Sequence, residues 1–442
     1  MNSTLHEKIR EAGVIGAGGA GFPTHIKLRG SYDCVIANGA ECEPLLQCDQ
    51  QVMASCAAQL VDGMETAMRA TGAGRGIIAL KSKHTSVIHV LRKVIAGSEL
   101  ELSVFELGNY YPAGDEQVLV YEVLGRIVPE GGRPGDVGCL VQNVQTLVQI
   151  SDAKLGNPVI DRFLSVHGAI KSPKILRVPI GTPVKNLLRA CGGLTIDRCA
   201  VLAGGIMMGR IVDMDAFIGK TTSGLYFLPA DHPVVRMKTT PIDQALHVAQ
   251  FVCEQCSFCT MFCPRYLLGH DLFPNRIMQA VGWGVSTKAE VITGAYLCCE
   301  CGLCGALFAC PLLLSPDRYN GVLKRELTGE RIPYPQLRHV DRVREDRAGR
   351  RISVDYLIDR LMLARYNVRA RFEPKRLITE RVRINIGEHI GKPAIPVVSV
   401  GDHVEPGQVI ARSPADQQGV SYHASIPGSV TAIAQNSIQI DS

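Results

Sequence analysis

Apolar positions along the first 150 residues alternate between two periods. CVIAN at 34–38 and GIIAL at 76–80 are continuous apolar runs that predict buried strands, while Val87, Ile88, Leu91, Val94 and Ile95 fall on one side of a helix. Residues 51–70 carry a helical pattern between those runs, and Thr4 with Glu7 forms the capping-box signature of a short opening helix. Strands alternating with helices predict an α/β layer.

The pattern changes near residue 172. KILRVPI, a short helix around 183–190, AVLAGG and GLYFLP predict a small mixed β unit over 172–232, with no evident catalytic constellation. Residues 241–320 hold most of the cysteines, and 321–383 form a basic, partly helical connection. Residues 384–442 carry short alternating runs such as VVSV, QVIA and SVTAI between Gly and Pro, which suits a compact β unit. The expected class is a multidomain chain of α/β and α+β units.

At 442 residues the chain has room for about three domains, each able to bury a core. With 46% hydrophobic and 20% charged residues it has ordinary globular composition, which excludes extensive disorder. No apolar run approaches the roughly 18 residues of a membrane span, and the opening MNSTLHEKIREAG has no apolar h-region, so a cytosolic chain is expected. The net charge of +5 hides an asymmetry: residues 324–383 carry 17 Lys and Arg against 9 Asp and Glu, or +8, leaving −3 elsewhere. That stretch lacks a stacking arrangement of aromatics or a nucleic-acid motif, so it reads as a solvated surface and no nucleic-acid partner is expected.

Sixteen cysteines change the picture, because nine of them lie between Cys253 and Cys310. In a reducing compartment such a concentration points to metal ligation. CEQCSFCTMFCP places Cys253, Cys256, Cys259 and Cys263 before Pro264, the CxxCxxCxxxCP run in which three thiolates hold one iron-sulfur cubane and the fourth reaches its neighbour. CCECGLCGALFACP places Cys298, Cys301, Cys304 and Cys310 before Pro311, with five residues rather than three between the last two. Crossing the ligands groups Cys253, Cys256, Cys259 and Cys310 for one 4Fe-4S cluster and Cys298, Cys301, Cys304 and Cys263 for the other. Cys299 is left over and competes with Cys298. A pair of zinc sites is the alternative for CxxC spacing; the repeated triplet with a distant Cys-Pro favours iron-sulfur and electron transfer.

GAGGAGFPTHIK, from Gly16 to Lys27, satisfies GxGxxG through Gly16, Gly18 and Gly21. A Rossmann fingerprint follows a strand, whereas here a helix comes first, so a different phosphate-approaching loop is expected, with Lys27 adding charge. NGAECEP at 38–44 and YYPAGDEQ at 110–117 place Glu41, Glu43, Asp115 and Glu116 just beyond apolar runs, where they could bind ligand hydroxyls or simply be solvated loop acids.

Together with QNVQTL, these segments resemble the FMN- and NADH-binding module shared by the NADH-binding flavoprotein subunit of respiratory complex I and the RnfC proteins of Rnf complexes, over residues 1–168. NGAECEP follows the Rnf form, with Ala40 where the complex I form has an acid. The resemblance implies that Gly16, Gly18, Gly19, Gly21, Lys27, Asn38 and Asn143 line FMN. It places Phe22, Glu41, Glu43 and Glu116 toward NADH. Residues 172–232 resemble the soluble-ligand-binding (SLBB) β-grasp domain, 241–320 a bacterial ferredoxin-like two-cluster domain, and 384–442 the barrel-sandwich hybrid domain of RnfC proteins. The last carries Gly428 and Ser429 at its hairpin, and no lysine for biotin or lipoate.

That domain order resembles, over the full length, the cobalamin reductases of propanediol-utilisation microcompartments. The resemblance implies an NADH-dependent oxidoreductase passing electrons through FMN and two 4Fe-4S clusters to cob(III)alamin and cob(II)alamin, in support of adenosylcobalamin regeneration for 1,2-propanediol degradation. No side chain is implied as nucleophile or general base. The implied partners are cobalamin, a cobalamin adenosyltransferase and the shell or enzyme proteins of a cytoplasmic bacterial microcompartment. A DxHxxG cobalamin loop is absent from the sequence. Two alternatives stand beside this reading: an Rnf-like or diaphorase electron-transfer protein feeding ferredoxin or quinone, and a noncatalytic cluster-bearing docking protein.

Overall fold

The apolar runs form the centre of a parallel sheet. The computed structural model describes residues 4–283, 289–335, 338–414 and 416–442. In it, strands Glu101–Leu107, Arg75–Lys81, Cys34–Gly39 and Cys139–Asn143 lie side by side in that order, every neighbouring pair parallel. Helix Thr85–Ile95 buries Val87, Ile88 and Leu91, and half-buries Val94 and Ile95 against the same core. Thr4 and Glu7 cap helix Leu5–Glu11 reciprocally. The helix expected over 51–70 is two helices, Cys48–Ser55 and Ala57–Thr71, because Cys56 at φ −118° and ψ 29° leaves helical space.

Helices Ala57–Thr71 and Val144–Lys154 pack on one face of this sheet. They approach so closely that a Cβ on Gly63 would stand 1.9 Å from the Leu147 carbonyl oxygen. From Cys34–Gly39 the strand order runs outward to one side and then returns to Cys139–Asn143 on the other. The crevice beyond the carboxyl ends of those two strands is therefore a topological switch point, the place where open α/β sheets receive ligands.

The second sheet has the order Arg371–Arg376, Lys174–Pro179, Asp161–Gly168, Gly224–Pro229, Cys199–Ala203, Arg210–Val212. Asp161–Gly168 falls inside the first unit as expected from sequence, yet it pairs with Lys174–Pro179 and Gly224–Pro229 and buries Leu164 and Val166 in the second core. The boundary at 168 therefore moves ahead of residue 161. The connection 321–383 is likewise not a separate helical unit: it continues helix Pro316–Gly329, adds helix Val354–Arg360, and sends Arg371–Arg376 to the edge of the second sheet.

The last unit begins near Arg381 rather than 384, because Arg381–Asn385 pairs with Ser437–Asp441. Its core is continuous with that of the first unit: Val382, Ile384, Tyr422 and Ile440 share a cluster with Ile9, Ala12 and Val159. Arg10 donates to the Ser413 carbonyl at 3.0 Å, and Arg412 pairs with Glu11 at 2.7 Å, so the chain ends meet. Among the described residues, no helix is long and apolar enough to cross a membrane.

Candidate functional site

A cleft of about 1530 Å³ opens over the switch point. Single small-molecule sites usually span about 300–1,000 Å³, so this one has room for two ligands side by side. Its walls come from four units: the glycine loop and the NGAECEP and YYPAGDEQ segments of the first, Gly205, Met207 and Met208 of the second, Cys299 and Cys301 of the cysteine-rich unit, and Arg383, Asn385 and Glu388 of the last.

The glycine loop lies between helices Leu5–Glu11 and Thr24–Lys27 and is closed at its base by a bridge between Ile15 and Pro23. The Gly16 amide donates to the Phe22 carbonyl at 2.9 Å, and the Ala17 amide to Thr146 Oγ1 at 2.9 Å, which anchors the loop beside strand Cys139–Asn143. No strand leads into it, so it is not a Rossmann turn. Gly19, at φ +115°, has no atom of the described residues within 4 Å of the place a Cβ would take. Backbone is thus bared to the cleft, and Lys27 supplies a cation on the same wall, a donor set that fits the phosphate of FMN.

Eleven of the twelve cofactor-binding residues expected from sequence line this cleft: Gly16, Gly18, Gly19, Phe22, Lys27, Asn38, Glu41, Glu43, Asp115, Glu116 and Asn143. Gly21 does not. At φ +65° its α-carbon packs on the C-terminal unit, where a Cβ would come within 2.7 Å of the Glu388 carbonyl oxygen. Several of the eleven are held by the protein itself. Lys27 Nζ donates to Glu116 Oε1 at 3.0 Å and to the Val141 carbonyl at 3.2 Å. Asn38 Nδ2 donates to the Gly114 carbonyl at 2.9 Å, tying two of the motif loops together. Asn143 caps helix Val144–Lys154 by accepting from the Gln145 amide at 2.9 Å, and donates to Asp49 Oδ2 at 2.8 Å.

The two acids of NGAECEP face structural partners. Glu41 accepts from the Asp49 and Gln50 amides at 2.6 and 3.2 Å, at the start of helix Cys48–Ser55. Burial and the neighbouring Asp49 carboxylate push its carboxyl up to about 8. Glu43 accepts from the Met207 and Met208 amides at 2.8 and 3.0 Å, and burial raises its carboxyl. It fastens the second unit's loop to the cleft, so the β unit that had no constellation of its own supplies a wall. Burial pushes the Cys42 thiol up to about 11, which makes it a poor nucleophile.

Sequence reasoning missed the residues that join the cleft to the cysteines. Tyr111, inside YYPAGDEQ, donates to the Cys301 carbonyl at 2.8 Å. Arg265, immediately after the first Cys-Pro, pairs with Asp115 at 2.7 Å with both side chains about 11% exposed. Asp317 stands half-buried between the cleft and the cysteines, and desolvation pushes its carboxyl up to about 6. A charged residue directly behind a ligand cysteine was the one local signal available for Arg265.

The eight expected ligand cysteines fall into two groups. Cys263, Cys298, Cys301 and Cys304, with Cys299 beside them, enclose a small cavity walled by Pro264, Leu272 and Pro274. Cys310 packs in one cluster with Cys253, and Cys253, Cys256, Cys259 and Cys310 lie close enough for a thiolate at one to disfavour a thiolate at another. Burial pushes Cys259 and Cys263 up to about 12 and raises Cys298 and Cys304 as well, so these thiols gain from a cation that takes them as thiolates. N–H groups already point at sulfur: Glu300 N at 3.3 Å from Cys298 Sγ and Leu314 N at 3.3 Å from Cys310 Sγ. Two all-thiol groups with amide donors around them fit cubane clusters. The first group shares the wall of the cleft, while the second reaches the surface, where Cys256 is exposed.

Four family models match the chain in the expected order. Residues 9–152 match the Nuo51 FMN-binding domain, 163–211 the SLBB domain, 252–315 a 4Fe-4S dicluster domain and 374–442 the RnfC barrel sandwich hybrid domain. Cobalamin reductase PduS of Citrobacter freundii is 40% identical over 441 residues, covering 99% of this chain and 96% of that protein. The protein of the same name from Salmonella typhimurium is 39% identical over 440 residues, with the same shares covered. A component of the Na(+)-translocating ferredoxin:NAD(+) oxidoreductase complex of Acetobacterium woodii is 36% identical over 270 residues, 60% of this chain and 58% of that one. The likeness to the PduS proteins runs through the cleft, both cysteine groups and the terminal β unit without a gap in domain order, and the chain accordingly belongs to the PduS cobalamin reductase family of oxidoreductases.

Proposed function

We propose that this chain is an NADH-dependent cobalamin reductase, passing electrons from NADH by way of FMN and two 4Fe-4S clusters to cob(III)alamin and cob(II)alamin. The observation that carries the reading is the shared wall: Cys299 and Cys301 line both the large cleft and the small cavity enclosed by Cys263, Cys298, Cys301 and Cys304. A flavin supplies the conversion between a two-electron hydride donor and one-electron carriers. The residues around it bind and orient: the glycine loop and Lys27 receive a phosphate, Asn38 and Glu43 lock the motif loops, and Tyr111 holds the Cys301 loop against the cleft.

The order of the two cysteine groups supports a direction. The inner group adjoins the cleft, and the outer group of Cys253, Cys256, Cys259 and Cys310 is the one with an exposed member. Electrons would leave at that outer face, toward cobalamin held free or on a cobalamin adenosyltransferase. The reading carries with it a place in a cytoplasmic microcompartment among shell or enzyme proteins, serving 1,2-propanediol degradation.

The test is anaerobic reconstitution with iron, sulfide and FMN, followed by NADH titration with and without cobalamin. Bleaching of flavin and cluster absorbance by NADH, followed by appearance of the cob(II)alamin spectrum, is expected. Reduction that stops at the clusters, with transfer to ferredoxin or quinone instead, would replace the acceptor and keep the rest. No NADH bleaching at all would leave a noncatalytic cluster-bearing protein.

A further inference from the structure

Arg265 ties Asp115, on the wall of the cleft, to the segment that carries Cys263 of the inner cysteine group. It stands on the short helix Pro264–Leu267 that directly follows Cys263, and its side chain is about 11% exposed. Asp115 Oδ2 accepts from its guanidinium at 2.7 Å. The other oxygen of Asp115 is already taken by the Gln117 and Val118 amides, both at 3.1 Å, so Asp115 caps helix Glu116–Leu124 at the rim of the cleft and cannot turn away. Arg265 stands two residues after Cys263, which with Pro264 lines the cavity of the inner cysteine group, and the Cys299 thiol is near enough to feel its charge. Its Nε is buried with no partner among the described residues. A buried guanidinium with an unused N–H beside a group of thiols is under-satisfied unless an acceptor stands there, and the sulfurs of a cluster are such acceptors.

We propose that Arg265 is a positioning residue that sets the reduction potential of the inner cluster, with Asp115 as the counter-charge that limits its effect. The assignment rests on the electron-transfer reading above. One-electron reduction, with the flavin as donor, makes the group held by Cys263, Cys298, Cys301 and Cys304 one unit more negative while nothing else in the wall changes charge. A fixed cation with N–H donors aimed at sulfur favours that more negative form; a carboxylate paired to the cation offsets it. Two substitutions at one ion pair should therefore move one potential in opposite directions, which a merely structural contact would not do.

The test is an EPR-monitored redox titration of anaerobically reconstituted full-length protein, wild type against Arg265→Gln, Arg265→Lys and Asp115→Asn. Cys256→Ser identifies the outer cluster's signal, which serves as internal control. Arg265→Gln should disfavour the reduced inner cluster at least tenfold, a shift of 59 mV to more negative potential for a one-electron couple. Asp115→Asn should shift it to more positive potential, and Arg265→Lys should stay near wild type while the outer cluster moves by less than twofold. Equal potentials in all variants, or shifts of the same sign in Arg265→Gln and Asp115→Asn, would overturn the assignment. So would loss of the inner cluster in Arg265→Gln with Asp115→Asn unmoved. If wild-type protein takes up no iron and sulfide, it is the electron-transfer reading that fails instead.

Discussion

The phenol of Tyr111 donates to the carbonyl of Cys301 at 2.8 Å, joining residues 190 positions apart across the boundary between the cleft and the cysteine-rich unit. Tyr111 is 2% exposed and Cys301 6%, so neither group has water as an alternative partner. Burial, with the Glu43 carboxylate nearby, holds the phenol protonated and therefore a donor at any working pH. The contact fixes the loop that separates the cleft from the cavity of the inner cysteine group.

Tyr111→Phe removes the donor and leaves a buried carbonyl unpaired. The expected cost is about 1–3 kcal/mol, visible as a lower thermal midpoint of reconstituted protein. Flavin-to-cluster transfer, followed by anaerobic stopped-flow absorbance after NADH mixing, should slow more than flavin reduction itself. An unchanged midpoint and unchanged transfer would show that the loop is held by other contacts.

The crossed grouping of cysteines makes a prediction that in-line grouping does not. Cys263→Ser, in the first run, should abolish the signal of the inner cluster, and Cys310→Ser, in the second run, that of the outer one. Each should lower iron and acid-labile sulfide by about half, since each of the two cubanes holds four irons. Cys299→Ser should keep both clusters. If Cys299→Ser loses one and Cys298→Ser does not, the ligand in that loop is Cys299.

Much of this site is legible along the chain, for reasons that differ by residue. The 4Fe-4S dicluster match over residues 252–315 is readable because that chemistry asks for thiols at short fixed spacing, whatever surrounds them. The parallel strands at 34–38 and 76–80 are readable because strands covered on both faces need uninterrupted apolar sequence. Gly21 lies off the cleft wall because it packs on the Glu388 carbonyl of the C-terminal unit, a contact that local sequence spacing does not encode. Arg265 and Asp115 are 150 residues apart and meet only where the first unit and the cysteine-rich unit have packed. Strand Asp161–Gly168 follows the first unit without a break in pattern, while its hydrogen bonds go forward to Lys174–Pro179. Local spacing encodes ligands, whereas walls between units are encoded in pairs that sequence order separates.

Gly63 tests the packing beneath the cleft. An added Cβ would meet backbone, the Leu147 carbonyl oxygen at 1.9 Å, which cannot rotate away as a side chain could. The helix-propensity gain of alanine over glycine is about 1 kcal/mol, and overpacking of this kind costs about 1–3 kcal/mol. Gly63→Ala should therefore lower the thermal midpoint despite its better propensity. A midpoint at or above wild type would mean that helices Ala57–Thr71 and Val144–Lys154 separate freely.

Lys220 gives a pH signature to the junction between the second and last units. Its Nζ donates to the Gly13 carbonyl at 2.6 Å and lies 4.3 Å from the centre of the Tyr422 ring. Burial lowers its ammonium from 10.5 to about 7, against the opposing pull of Glu388. The groups that face it include Glu388, whose carboxyl burial raises, and His389 and His423, which burial keeps neutral. With the folded value below the unfolded one, the unfolded chain binds more protons between about 7 and 10.5, so this lysine makes stability rise with pH across that window and adds nothing above it. Lys220→Met removes the titrating group, and the rise in thermal midpoint from pH 7 to 10 should be smaller in the variant than in wild type. An identical slope in both would mean that the amine reaches solvent and keeps its ordinary proton.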